Sequence, residues 1–318
     1  MITLQDVRQA RELIGADLHR TPMTGTATLS RMAGRPVLLK LENLQKTGSF
    51  KPRGALNNIR RLDRPALEAG VITISAGNHA QGTAFAAALA GTHAVVVMPE
   101  TASRTKAEAC RDYGAEVILH GDVTQAFRKL EEVRLERGLT FIHPFDDDAT
   151  IAGQGTVGLE IVEDASEVGT VLVGIGGGGL ISGVAVAVLE SNPRARVIGV
   201  EPSGAAVMRQ SLRQGSPARL DRANTIADGL AAPFAGVRNY EIVSHYVEDV
   251  VLVEDDEIRS AMRLLLERCK ILAEPAGAAA AAALLAGRIP SGADSGPTVV
   301  VVSGGNIAME TLGELLAR

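Results

Sequence analysis

Lys51 is set in a small-residue, uncharged-looking stretch that reads as a loop, following Thr47-Gly48-Ser49-Phe50 and preceding Pro52-Arg53-Gly54. Loss of solvent and the approach of other cations both disfavour an ammonium, which is how a lysine becomes a base or a Schiff-base nucleophile near neutral pH. A lone lysine is ordinarily a solvated surface charge, so this one gains meaning only from its surroundings. Three glycine-rich loops, each after an apolar strand-like run, are placed to complete a site around it.

The first loop is Gly176-Gly177-Gly178-Gly179-Leu180, after Val171–Gly174. Residues without Cβ let consecutive backbone N–H groups turn inward, and a helix start behind them adds a field that favours an anion. That describes a phosphate cup, although the same run also serves as a close-packed strand–helix turn. Its spacing is not the dinucleotide fingerprint, and the Lys-Ser/Thr pair of a nucleoside-triphosphate loop is absent. The second loop, Ser75-Ala76-Gly77-Asn78-His79-Ala80-Gln81-Gly82, follows Val71–Ile74. Ser75 or Asn78 can cap the next helix, whose first N–H groups can also hold a carboxylate. His79 is a general-base candidate by type, yet a histidine in a helix's first turn is as readily a hydrogen-bonded structural residue. The other histidines, His19, His93, His120, His143 and His245, show no metal-ligand spacing. The third loop, Ser303-Gly304-Gly305-Asn306, follows Thr298–Val302, where a hydroxyl can cap a turn or face a ligand.

Strand-like runs alternate with helical patterns along the chain, which predicts an α/β fold with two open, mainly parallel twisted sheets flanked by helices. The strand candidates are Val37–Leu41, Val71–Ile74, Ala94–Met98, Glu116–Leu119, Val171–Gly174, Arg196–Val200, Val247–Val253 and Thr298–Val302. Helices are expected at Leu4–Ile14, Asn78–Ala90, Thr105–Asp112, Thr124–Arg137, Leu180–Leu189, Asp256–Arg268 and Ala276–Leu285. The turn-like segments Arg60–Pro65 and Pro144–Asp148 bracket a small domain, 63–145, inserted into a large domain of 1–62 and 146–318. One continuous sheet is the alternative. Ligands of open α/β sheets sit beyond the carboxyl ends of the strands, so the loops should converge in the cleft.

Composition narrows the function further. At 318 residues and 46% hydrophobic the chain supports one or two substantial cores. A net charge of -5 with interspersed signs leaves no basic stripe for nucleic acid, and the lack of tryptophan argues against a base-stacking platform. Cys110 and Cys269 cannot form a disulfide framework, which fits a reduced, cytoplasmic protein. The charge-free segment Thr170–Leu189 contains six glycines and reads as strand, loop and helix rather than a membrane span.

Taken in order from Leu41-Glu42-Asn43 to Asn306, these motifs resemble the fold-type II pyridoxal-phosphate enzymes, which are tryptophan synthase β-like. Within them, the pattern is similar to the serine/threonine dehydratase (threonine ammonia-lyase) and serine racemase branch. The resemblance implies pyridoxal 5'-phosphate bound as a Schiff base to Lys51. It implies Phe50 flanking the ring, Asn78 at the ring oxygen, Gly176–Gly179 and Leu180 around the phosphate, and Ser303 facing the pyridine nitrogen. Ser75, Ala76, Gly77 and the His79 backbone would line the substrate carboxylate. Glu201, with the Ala205 carbonyl, matches part of the family's cation site, implying at most a monovalent or weak divalent cation. A homodimer or homotetramer is also implied.

The activity expected from this resemblance is β-elimination of L-threonine or L-serine to a 2-oxo acid and ammonia. Lys51 would serve as general base after the substrate amine displaces it. A neutral serine at the pyridine nitrogen gives a moderate electron sink, which suits elimination. Two departures qualify the match. Ala76 stands where the racemases carry a second serine, favouring dehydratase over racemase, and Val207 replaces the expected aspartate of the cation site. No segment corresponds to the C-terminal regulatory domain of the longer biosynthetic enzymes. Rival readings are a dehydratase for hydroxyaspartate or a hydroxyectoine derivative, then a serine racemase, then a non-catalytic phosphometabolite-binding protein.

Overall fold

The computed structural model describes residues 1–102, 104–290 and 296–317. Ten strands run β1 (Met23–Gly25), β2 (Val37–Leu41), β3 (Val71–Ile74), β4 (Ala94–Met98), β5 (Glu116–Leu119), β6 (Thr140–Phe141), β7 (Thr170–Gly174), β8 (Arg196–Pro202), β9 (Asp249–Val253) and β10 (Thr298–Val302). They form a six-stranded sheet in the order β1-β2-β10-β7-β8-β9 and a four-stranded sheet in the order β5-β4-β3-β6. Among the described residues, every pairing between these strands is parallel except β1 with β2. The interior strands β3, β4, β7 and β10 are buried at every residue. Their continuous Val/Ile runs are what a parallel strand covered on both faces requires.

Register places the chemistry. Val302 pairs with Leu41 and Gly174 with Val200, so β2, β10, β7 and β8 end close together. The loops after them therefore emerge along one edge, as open α/β sheets arrange their ligand sites. The Lys51 segment is tied into that edge by the Phe50 amide to the Ser303 carbonyl (3.2 Å) and the Gly305 amide to the Gly48 carbonyl (2.9 Å).

The strands of the smaller sheet lie within 71–141, inside the segment expected as a separate domain. The core on that sheet also recruits Ile14, Leu18, Ala55, Leu56 and Ile59 from outside it. We therefore propose 63–145 as a small domain whose core is completed by the helices on either side of β2.

Several elements go beyond the sequence pattern. Lys51, expected in a loop, is the first residue of helix Lys51–Ile59, with Pro52 in the first turn where a missing N–H does no harm. Helix Asp148–Asp164 carries no clear apolar stripe because Thr150 through Ile161 are all buried. Its glycines permit close packing: a Cβ on Gly153 would stand 2.7 Å from Gly54 Cα, and one on Gly155 2.9 Å from the Gly183 carbonyl. Helix Asp255–Leu264 passes into a π-turn, Leu265–Cys269, short of the single helix expected.

Candidate active site

Lys51 opens its helix against a framework of buried charge. Two residues on, the Arg53 guanidinium donates to both oxygens of Glu42 (2.8 Å each) and both oxygens of Glu160 (2.6 and 3.0 Å). It also reaches Thr156 Oγ1 at 3.0 Å and the His19 carbonyl at 3.2 Å. Lys40 Nζ completes the quartet, donating to Glu160 at 2.5 Å and to the Thr21 carbonyl at 2.7 Å. Arg53, Lys40, Glu42 and Glu160 are all buried, two cations against two anions. This network fixes the start of the Lys51 helix to the end of β2 and to helix Asp148–Asp164. Lys51 itself donates to the Pro144 carbonyl at 3.0 Å and lies 5.2 Å from the Phe50 ring centre. Desolvation pulls its ammonium down to about 8, against the opposing pull of Glu274.

Lys51, Phe50, Gly176–Leu180, Ser75–His79 and Ser303 line one cavity of about 630 Å³. The glycine loop leads into helix Gly179–Ser191, whose N-cap, Gly178, offers no side-chain acceptor to the first-turn amides. Those amides are the orphan donors of a helix N-terminus, suited to an anion. Packing demands glycine here as well. A Cβ on Gly177 would run into the Phe145 ring, one on Gly179 would stand 2.9 Å from the Phe145 carbonyl, and Gly178 has φ +102°. The glycine run is thus a close-packed turn whose open helix-terminal amides suit an anion. The Phe145 segment also supplies the Pro144 carbonyl to Lys51, and His143 Nδ1 holds its turn by accepting the amides of Phe145 (3.2 Å) and Asp146 (2.8 Å).

On the other wall, Ser75 Oγ accepts the Gly77 amide at 3.1 Å, closing the turn before helix Asn78–Ala90. The N-cap is Gly77, so neither Ser75 nor Asn78 caps that helix by its side chain. His79 is buried and neutral: desolvation, with Lys51 nearby, lowers its pKa to about 3, and Nε2 donates to the Ile142 carbonyl at 3.1 Å. That geometry makes its ring structural. Asn78 Nδ2 donates to Glu274 at 2.6 Å, while its Oδ1 accepts from Asn306 at 2.8 Å. Ser303 Oγ donates weakly to the Ala276 carbonyl at 3.4 Å, leaving the hydroxyl at the cavity wall.

Glu274, Asp228, Phe145 and Lys106 also line this cavity and were not singled out from sequence. The available signal for Glu274 was a lone acid before Pro275 and the alanine-rich helix Pro275–Leu285.

The cation site implied by resemblance does not fit. Glu201 is buried with both oxygens committed, Oε1 to the Met208 amide at 2.7 Å and Oε2 to the Arg209 amide at 2.8 Å. It thereby caps helix Val207–Gln214, and Val207 packs in the core. No group of three or more His, Cys, Asp or Glu side chains among the described residues is arranged to hold a metal.

The cavity does fit a phosphorylated carbonyl compound, because a desolvated lysine, open helix-terminal amides and a hydroxyl converge on it. A family model described as "Pyridoxal-phosphate dependent enzyme" matches residues 15–304. The chain is 45% identical over 313 residues to an L-threonine ammonia-lyase of Geobacter sulfurreducens, covering 98% of this chain and 77% of the relative. It is 42% identical to the catabolic L-threonine dehydratase TdcB of Escherichia coli K12, covering 99% and 96%. Among solved structures it resembles maize serine racemase (TM-score 0.95, 38% identity, 99% and 97% covered). It also resembles the T.th. threonine deaminase (TM-score 0.91, 39% identity, 97% and 99% covered). With the lysine, the glycine cup and the fold in agreement, the chain belongs to the pyridoxal-phosphate dependent enzyme family.

Proposed function

We propose that this protein is an ammonia-lyase that converts L-threonine, and L-serine as second choice, to a 2-oxo acid and ammonia. The observation that carries the reading is the convergence of desolvated Lys51 and the open amides of the glycine loop on one cavity. Lys51 would hold the reactive carbon of pyridoxal phosphate, the amides of Gly176–Leu180 its phosphate, and Ser303 its ring nitrogen. Asn78 would meet the ring oxygen, and Phe50 would flank the ring. Bound there, the cofactor supplies an electron sink for negative charge at the substrate α-carbon.

The remaining chemistry falls to the chain's own residues. The Ser75–Gly77 turn and the start of helix Asn78–Ala90 present backbone N–H groups for the substrate carboxylate. With its pKa near 8, the Lys51 amine is neutral in roughly a tenth of molecules at pH 7 and takes the Cα proton. The β-hydroxyl leaves as water after gaining a proton, and the resulting enamine hydrolyses to the 2-oxo acid and ammonia. Ala76 brings no hydroxyl to the carboxylate loop, which supports elimination over racemisation. No step is routed through a cation, because Glu201 is spent on backbone amides.

Threonine ranks first through the names of the relatives, and one methyl discriminates by only about 1–3 kcal/mol. Among the described residues no helix is long and apolar enough to cross a membrane. Both cysteines are free, and we place the protein in the cytoplasm as a dimer or tetramer. The test is a panel of 3-hydroxy amino acids assayed for 2-oxo acid and ammonia in equal amounts. No release from threonine, serine or hydroxyaspartate by the cofactor-loaded protein overturns the reading.

A further inference from the structure

Asn306 donates to the Thr47 carbonyl at 2.7 Å and to Asn78 Oδ1 at 2.8 Å, so both its amide hydrogens are committed. Asn78 must therefore turn its oxygen toward Asn306 and its NH₂ toward Glu274, whose Oε1 accepts at 2.6 Å. Asn78 begins the helix after β3 of the smaller sheet, whereas Glu274 and Asn306 lie on segments flanking β10 of the larger one. The chain Thr47–Asn306–Asn78–Glu274 thus spans the cleft. Gly304 makes the approach possible: a Cβ there would run into Glu274 Oε1 and lie 3.2 Å from Asn78 Nδ2.

We propose that Glu274 is a positioning residue for the reaction. Its carboxylate locks the Asn78 carboxamide across the cleft, protonation relaxes that lock, and the cofactor site is fully organised only in the ionised form. The proposal rests on the reading that Asn78 meets the cofactor. Charge matters because a hydrogen bond to a carboxylate is about twice as strong as one between neutral groups. Burial raises the Glu274 carboxyl to about 7, with Asp228 pushing the same way, while the Asn78 bond, Lys106 and Lys51 oppose it. The neighbouring imidazoles His79 and His143 are both shifted below their ordinary range by desolvation, and the Lys51 ammonium titrates higher, at about 8. The lock therefore loosens as pH falls through about 7.

Glu274→Gln tests this, since an amide oxygen can accept from Asn78 in the same place without charge. The cofactor-loaded wild type should show kcat/KM falling on the acid side of about 7. Its cofactor dissociation constant, followed by absorbance, should rise over the same range. In E274Q the inflection near 7 should be gone from both profiles, leaving only the dependence on the Lys51 amine at about 8, with alkaline kcat/KM about 10-fold below wild type, as expected for trading a charge-assisted bond for a neutral one. Glu274→Asp should restore the pH dependence in part, which a purely structural role would not do. Asp228→Asn should keep it. Unchanged profiles in E274Q, or their loss in D228N alone, would overturn the proposal. Loss of the inflection near 7 from the E274Q dissociation profile, in a protein inactive on every 3-hydroxy amino acid, would sink the ammonia-lyase reading and leave the role of Glu274 standing.

Discussion

Replacing Arg53 with methionine isolates the buried charge that anchors the Lys51 helix. Wild type balances Arg53 and Lys40 against Glu42 and Glu160, all buried. Arg53→Met leaves two carboxylates against one ammonium and strips Glu42 of everything but the Thr21 hydroxyl. Removing one partner of a buried ion pair typically costs about 3–5 kcal/mol, because the other charge stays desolvated and uncompensated. At about 2–4 °C per kcal/mol for chains approaching this size, the melting temperature should drop by roughly 6–20 °C. The double variant Arg53→Met with Glu42→Gln restores the balance and should recover about 1–3 kcal/mol of the loss. Arg11→Ala, which breaks a half-exposed pair with Glu163, is the control and should cost under about 1 kcal/mol. Thermal melts and urea midpoints on the same samples provide the readout. A single variant melting within about 2 °C of wild type, or a double variant less stable than the single, would refute the claim that charge balance organises this region.

Lys51→Ala should abolish the absorbance of the bound cofactor and its fixation by borohydride. Turnover should fall by at least the roughly 10²–10⁴-fold typical of a lost general base; a colourless wild type that never labels at Lys51 would refute the assignment. Burial raises the Glu201 carboxyl to about 7, so the folded state favours its protonated form. Its contribution to stability is complete below the ordinary value of 4.5 and is lost as pH rises through about 7. Glu201→Gln should flatten that slope in thermal melts while costing about 1–3 kcal/mol, because an amide NH₂ faces a backbone donor. Chelation should leave melting temperature and turnover unchanged, whereas a loss restored by magnesium would show that other residues build a cation site. Ala76→Ser should let chiral chromatography detect D-amino acid formation; rapid interconversion of L- and D-serine by the unmodified protein would move the assignment to racemase.

Much of the architecture was legible in the sequence because parallel strands buried on both faces have to be written as unbroken apolar runs. Val71–Ile74, Ala94–Met98 and Thr298–Val302 stand where that rule puts them, and Asn78–Ala90 ends at its αL glycine, Gly91. The glycine run and the lysine in its small-residue setting were equally visible, since both depend on local covalent chemistry. Helix Asp148–Asp164 was not, because a helix buried all round and spaced by glycines loses the 3.6-residue stripe. The loop expected at Lys51 is a helix start, held by partners 11 and 107 residues away from Arg53. Glu274 gained its place only when the fold tied the start of helix Pro275–Leu285 to the loop after β10, within 2.6 Å of Asn78, 196 residues distant in the chain. Glu201 shows the converse: its residue type matched a cation ligand, but the fold spends both oxygens on the amides of Met208 and Arg209. Sequence alone decided which groups could do chemistry, because type and local spacing set intrinsic reactivity. Tertiary structure decided which are desolvated, charged and paired, because those properties come from neighbours that only the fold assembles.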